Sequence, residues 1–360
     1  MLRLLHFISI FGYTQVMLHL AQATKFSRTF IKLTVLACIG LVVLFIVTSI
    51  LNILLPILFP KKPPVPTLAF GRIKKIAYPQ YSLIPNYQVN TVSGFLPTFP
   101  NLLKVYKIYK PVLTLYTLRD IRNRLASLGY STNEIKISDT VYSWNNDKVP
   151  GEYIRYNILT NEFYIYSNYL TDQNQITLEN PPNESQAFSQ VNGFLGGMSQ
   201  NLSDIDQLRY FVFYYKKINS NLVRIDNLNE AQVIRVDLFQ KSIDNIDIYY
   251  PQYEGSTMWF YLTKGGYNPN ILEAFFKHQI VDPNTSATYP IITSSQALEE
   301  LKKNNAFVYN PFNQQNIVIT DVSLGYYLGT EDQDYLIPII VFKGNNFKAY
   351  VQALPNSVVF

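Results

Sequence analysis

Leu33-Thr-Val-Leu-Ala-Cys-Ile-Gly-Leu-Val-Val-Leu-Phe-Ile-Val-Thr-Ser-Ile-Leu-Asn-Ile-Leu-Leu-Pro-Ile-Leu-Phe59 runs for 27 residues without a charged side chain. As a helix it would extend about 40 Å against roughly 30 Å of bilayer hydrocarbon, enough to span with tilt. A soluble core helix is rarely apolar on every face over such a length. Pro56 and Pro60 close the segment, and Lys61 and Lys62 stop it at a headgroup layer. No small-x-small cleavage pattern follows, so the segment reads as an uncleaved anchor with its ends at Leu33 and Phe59.

Working outward, the charge lies on both flanks of this span. Arg3, Lys25, Arg28 and Lys32 precede it, Lys61, Lys62, Arg72, Lys74 and Lys75 follow it, and the first acid is Asp120. The chain carries a net charge of +5, yet residues 76–360 by themselves carry −4. The cations are therefore placed for anionic lipid headgroups, and the remainder is a poor electrostatic match for nucleic acid. Lipid bilayer is an expected partner; nucleic acid is not. A flank count favours a cytoplasmic C-terminus, but long domains translocate largely regardless of charge. Charged residues make up 15% of the chain, with 28 tyrosines among the rest, against about 25% charged in typical soluble domains. Together these features predict a single-pass membrane protein with its large domain outside the cytoplasm. Residues 1–32 read as a cytoplasmic or interfacial segment, in which His6, Ser9, Gly12, Gln15 and His19 share one helical face; a second span and an over-extended start of translation are the alternatives.

Residues 60–100 hold eight prolines, a density that excludes helix and predicts an extended tether over 60–100. Near Tyr87–Leu96 the tether has the makings of an edge strand. Beyond it, helix and strand signals recur as α-β-β-β. Leu115–Leu128 has apolar residues at helical spacing and ends before Gly129, a candidate C-cap; strands are expected at Glu134–Trp144, Glu152–Leu159 and Glu162–Tyr169. A second unit would open with a helix at Glu184–Met198, followed by strands at Arg209–Ile218, Leu222–Ile225, Ala231–Leu238, Ile246–Tyr250 and Thr257–Leu262. In a third, Ser294 and Ser295 precede a helix at Gln296–Asn304, with strands at Ile317–Leu328, Tyr335–Phe342 and Phe347–Ala353. The expected fold is α+β: antiparallel sheets each covered by helices, in units 101–180, 181–288 and 289–360, behind the span at 33–59.

The third unit carries a resemblance. Tyr289-Pro-Ile-Ile-Thr-Ser-Ser-Gln-Ala-Leu-Glu-Glu-Leu301, then Leu324-Gly-Tyr-Tyr327, Tyr335-Leu-Ile-Pro-Ile-Ile-Val-Phe342 and Tyr350-Val-Gln-Ala-Leu354 resemble the C-terminal part of the YycH/YycI family, and more loosely PepSY-like modules. Val341 stands where that family often has Trp. The resemblance covers 289–354 and implies an extracytoplasmic α+β regulator without enzymatic activity that contacts a sensor kinase or another membrane or envelope protein.

Residue chemistry adds no catalytic set. Cys38 lies in the apolar span, so no disulfide and no cysteine-ligated metal site is expected in the domain. His278 is the only histidine beyond the membrane-proximal segment; Asp282 is its nearest acid, no nucleophile-elbow pattern accompanies it, and an exposed helix-end position after Phe275-Phe276-Lys277 is the plain reading. Glu331-Asp332-Gln333-Asp334 is too short for a calcium loop and reads as a solvated hairpin turn. Gly193, Gly196 and Gly197 lack the lysine of a phosphate loop and read as helix end or close packing. No cofactor, metal or small-molecule ligand is assigned, and the protein is expected to be no enzyme. Aromatic density is the one unusual feature: Tyr210, Tyr214, Trp259 and Tyr261 are nominated as an interaction surface. A non-catalytic, membrane-tethered regulatory module leads; a cell-wall glycan or peptide binder and a cryptic enzyme are the alternatives.

Overall fold

Among the described residues, apolar sequence gives one helix, α1 (Ile31–Leu51), long and apolar enough to cross a membrane. The computed structural model describes residues 31–51, 65–78, 81, 83–172, 175–176, 181–252, 254–264 and 271–360. Leu33 lies within α1, whereas Phe59, Lys61, Lys62 and the segment 1–30 fall outside the described residues. Contacts divide the chain once, into Met1–Val65 and Pro66–Phe360.

The second unit is α+β. Its helices are α2 (Thr117–Ser127), α3 (Glu184–Gly197) and α4 (Ser294–Lys302). Its strands begin with β1 (Asn86–Val89), β2 (Leu102–Ile108), β3 (Ile135–Lys136), β4 (Val141–Asn145), β5 (Tyr153–Asn157) and β6 (Phe163–Tyr166). They continue with β7 (Ile205–Ile218), β8 (Asn221–Ile225), β9 (Val233–Gln240), β10 (Ile248–Tyr249), β11 (Met258–Thr263) and β12 (Ile271–Phe276). The last are β13 (Val281–Pro290), β14 (Phe307–Tyr309), β15 (Asn316–Tyr327), β16 (Tyr335–Gly344) and β17 (Phe347–Gln352).

Capping explains where the helices start. Asn183 and Gln186 form a reciprocal capping box on α3, and Thr293 and Gln296 do the same on α4, satisfying N–H groups that a helix leaves orphaned. The α4 cap is thus Thr293, and the expected serines lie in its first turn. Gly129 follows α2 with φ +100°, the left-handed position where glycine costs least.

Sheet A has nine antiparallel strands in the order β3-β4-β5-β6-β12-β11-β9-β7-β8. Helices α2 and α3 cover one of its faces: Ile121, Leu125, Val191 and Phe194 pack with Trp144, Phe163, Phe260 and Phe276. Sheet B runs β1-β15-β16-β17-β14, with β10 parallel on β15, β2 on β16 and β13 on β2. Ala297 and Leu301 of α4 pack on Ile317, Ile340, Phe342 and Val351 of sheet B.

Several expectations are redrawn. The described part of the supposed tether at 60–100 belongs to the folded unit: Ile73 is 1% exposed and bridges to Val359, and Phe70 stacks on Tyr335. Apolar residues between its prolines give it something to bury. Within it, β1 pairs in parallel with β15 at an edge. Strands expected in the separate units 101–180 and 181–288 lie together in sheet A, and β10 joins sheet B, so the three-fold α-β-β-β repeat does not mark separate modules. Glu134–Trp144 breaks into β3 and β4 around the Ser138–Thr140 turn. Strands β2, β12, β13 and β14 went unread. The polar run of β13 pairs with β2 from Val281↔Ile108 to Pro290↔Leu102, and a register shift between Asp282 and Ser286 accommodates Pro283. Gly197 meets Leu128 so closely that a Cβ would lie 3.1 Å from its side chain, in keeping with close packing.

Candidate functional site

Strand alternation gives sheet A two unlike faces. On β11, Met258, Phe260 and Leu262 are 0% exposed beneath the helices, while Trp259 and Tyr261 point the other way. On β9, Ile234, Val236 and Leu238 face the helices, and Arg235 and Asp237 share the side of Trp259 and Tyr261. Among the described residues of this unit no helix lies on that second face.

Register builds it into two rows across six strands. The first runs Arg155↔Tyr164↔Phe275↔Trp259↔Asp237↔Phe211, and the second Tyr153↔Tyr166↔Glu273↔Tyr261↔Arg235↔Phe213. At the usual strand spacing each row extends about 24 Å. Every position is aromatic or charged. Phe211 is 42% and Tyr166 37% exposed; Trp259, Tyr261, Phe275 and Phe213 are half-buried.

Arg235 organises the centre. Its Nε and Nη2 donate to Asp237 at 2.6 and 2.8 Å, and Nη2 also reaches Gln252 Oε1 at 3.1 Å. The guanidinium lies 5.1 Å from the Trp259 ring centroid and 5.6 Å from that of Tyr261. Asp237 is fully buried. Burial pushes its carboxyl above the ordinary range, and the bonds from Arg235 and the Ser256 N–H offset part of that rise. Burial works against the Arg235 charge, but Asp237 outweighs it and keeps the guanidinium protonated. A Cβ at Gly255 would collide with Gln252 Oε1 and lie 2.9 Å from Asp237 Oδ1, so a side chain there would displace the Gln252 end of this network. Further along the row, Glu273 accepts from the hydroxyls of Tyr164 at 2.7 Å and Tyr169 at 2.6 Å. A second guanidinium, that of Arg224, stands 4.3 Å from the Phe213 centroid.

The four aromatics nominated from sequence do not share this face. Trp259 and Tyr261 are at its centre. Tyr210 and Tyr214 are on the covered face: Tyr210 stacks on Phe188 of α3 at 4.4 Å, and the Tyr214 hydroxyl donates to Glu184 Oε1 at 2.9 Å. Tyr210 and Tyr214 occupy even positions of β7 and Trp259 and Tyr261 odd positions of β11, and inter-strand register puts the two pairs on opposite faces. Sequence reasoning also missed Arg235, Asp237 and Glu273. Its available signal was Val233-Ile-Arg-Val-Asp-Leu238, charges alternating inside an apolar strand.

His278 is not an exposed helix-end residue. It follows β12, is 9% exposed, and sets Nε2 2.8 Å from Asp204 Oδ1. Asp282 instead holds Thr285 and the Asn284 N–H. The 331–334 turn is tied down rather than merely solvated, since Asp332 meets Lys277 at 2.7 Å and the Gln333 N–H donates to Gln279. Among the described residues no group of three or more His, Cys, Asp or Glu is placed to hold a metal ion.

No family model matches the chain, and no curated protein matches it. Among solved structures, an uncharacterized protein from Eubacterium rectale ATCC 33656 aligns at 12% identity over 74% of this chain and 87% of its own, with a TM-score of 0.39.

Proposed function

We propose that this is a non-catalytic regulatory module, anchored by α1 with its sheets outside the cytoplasm, that docks another membrane or envelope protein on the open face of sheet A. The observation that carries this reading is the composition and order of that face: Trp, Tyr, Phe and Arg in two registered rows, with Arg235 locked by a buried carboxylate. Aromatics and arginine are the residues that dominate protein–protein hot spots, and pre-organising them lowers the entropic cost of docking. The resemblance of 289–354 to membrane-anchored kinase regulators agrees with this role. Glycan stacking on this face is less favoured. Sugars bind on exposed flat rings, whereas Arg235 sits over Trp259 and Tyr261, Arg224 over Phe213, and Trp259 meets Tyr261 edge-on at 70°.

A photo-crosslinking amino acid placed at Trp259 in the full chain, in cells that make it, tests the proposal. A discrete adduct with a membrane or envelope protein is expected from position 259 and none from Tyr210, which lies under α3. Equal labelling from both positions, or none from 259, defeats the docking reading. Protease digestion of a C-terminal tag on intact, wall-stripped cells is expected; protection until lysis would defeat the extracytoplasmic placement.

A further inference from the structure

Lys277-His278-Gln279 are three consecutive polar residues exposed by only 6, 9 and 8%. Such burial is costly unless each group is satisfied; here Lys277 and Gln279 are satisfied from behind, whereas His278 Nε2 has only the nearby Asp204 carboxylate and no well-aligned hydrogen bond. Lys277 Nζ meets Glu162 at 2.9 Å and Asp332 at 2.7 Å. Gln279 donates to the carbonyls of Gly329 and Glu331 and accepts from the Gln333 N–H. His278 lies against Asp204, which also accepts from Gln240 at 2.8 Å. Burial acts to raise the Asp204 carboxyl, but His278 and Gln240 outweigh it and hold it below the ordinary range.

His278 and Gln279 line a cleft of about 610 Å³ where the chain crosses from sheet A to sheet B, within the roughly 300–1,000 Å³ of small-molecule sites. The Thr160-Asn161 turn and the loop 199–203 form its polar wall; Tyr109, Pro111, Ile280 and Pro283 form an apolar one. The buried Tyr156 hydroxyl donates to Asn161 Oδ1 at 3.0 Å and accepts from Gln200 Nε2 at 3.1 Å. That arrangement leaves Asn161 Nδ2 as a donor and Gln200 Oε1 as an acceptor, both anchored on one rigid hydroxyl. The neighbouring cations are already paired, Lys277 with Glu162 and Asp332 and Lys110 3.7 Å from Asp334, while Asp282 accepts from the Thr285 hydroxyl and the Asn284 N–H.

We infer that this cleft binds a neutral, hydroxyl-rich ligand carrying a secondary amide, an N-acetylated mono- or disaccharide. The amide carbonyl accepts from Asn161 and its N–H donates to Gln200. Hydroxyls meet Thr160, Ser199 and Ser203, and the ring's apolar edge lies on Tyr109 and the prolines. A free peptide carboxylate would bring a negative charge next to Asp282, and no uncommitted cation in the cleft meets it. The cleft shares no residue with the two rows of sheet A, so this inference stands apart from the docking proposal.

Isothermal titration of the full chain in lipid nanodiscs, free of sugar-headed detergents, with N,N′-diacetylchitobiose and with cellobiose tests it. Saturable chitobiose binding with a Kd below about 1 mM is expected, with cellobiose at least about 10-fold weaker. Asn161→Gly removes the amide while tolerating the φ of +58° at that position, and it should weaken chitobiose about 10-fold or more. Gln200→Ala should do the same, and Trp259→Ala should leave the affinity unchanged. Asn161→Gly carries the test if Gln200→Ala unfolds. No saturable binding up to about 10 mM, equal affinity for cellobiose, or wild-type affinity in Asn161→Gly would overturn the inference.

Discussion

The two faces of sheet A use the same strands and the same class of side chain to opposite ends. Under the helices, Phe163, Phe260 and Phe276 lie at 0–1% exposure and touch one another and Phe194. One residue away, Trp259, Tyr261 and Phe275 stand half-buried among Arg235, Asp237 and Glu273. The covered face is apolar and nearly closed. The open face keeps its aromatics upright with ion pairs and hydroxyl–carboxylate bonds. Aromatic density alone therefore marks neither core nor surface; the charged residues interleaved in register do.

The sharpest way to break this comparison is to truncate one ring on each face. Phe260→Ala should cost about 3–5 kcal/mol of unfolding free energy, read by denaturant titration of the solubilised chain, because the cavity opens inside a ring cluster. Trp259→Ala should cost only about 1 kcal/mol. Comparable stability losses would mean that the open face is core in disguise. Next in size, Asp237→Ala should cost about 3 kcal/mol although it lies on the open face, since the Arg235 guanidinium loses its buried partner. A loss within about 0.5 kcal/mol would show that Arg235 is free to re-pair and that the face is not pre-organised.

The smallest effect is a shared one at alkaline pH. Tyr214 on the covered face and Tyr215 on the open face are both pushed up to about 12, by burial first and then by Glu184 and Tyr261 respectively. The folded state then holds these protons more tightly than the unfolded chain, whose tyrosines ionise near 10. Stability is expected to fall as pH rises from 10 to about 12 and to level off beyond. Glu184→Gln should lower the Tyr214 titration alone, followed by ultraviolet absorbance; movement of Tyr215 as well would mean that the two faces are electrostatically coupled through the strand.

Much of the local structure was legible. Apolar continuity marked α1, helical spacing and a following glycine marked α2, a pair of serines marked the start of α4 within two residues of its Thr293 cap, alternation marked β6, and strand-like runs marked β5, β7 to β9, β11 and β15 to β17. What escaped had partners far away. β13 looks like a loop, with Pro283, Asn284, Thr285 and Ser286 in sequence, until β2 supplies its hydrogen bonds from more than 170 residues earlier. β12 gave no alternation of charge and apolar residues. On the open face the sequence singled out Trp259 and Tyr261 but not Arg235, Asp237 and Glu273, since isolated charges in a strand carry no sign of being neighbours.

The sequence by itself determined a long apolar helix, the strand periods that give each strand two unlike faces, and the capped starts of α3 and α4, because these depend on residues within a few positions of one another. Tertiary structure alone decided which face α2 and α3 cover, which rings lie in one row, and that His278 meets Asp204 from 74 residues earlier in a polar cleft. A period of two separates the faces of a strand, but only packing and inter-strand register, set by hydrogen bonds between distant segments, say what stands on each.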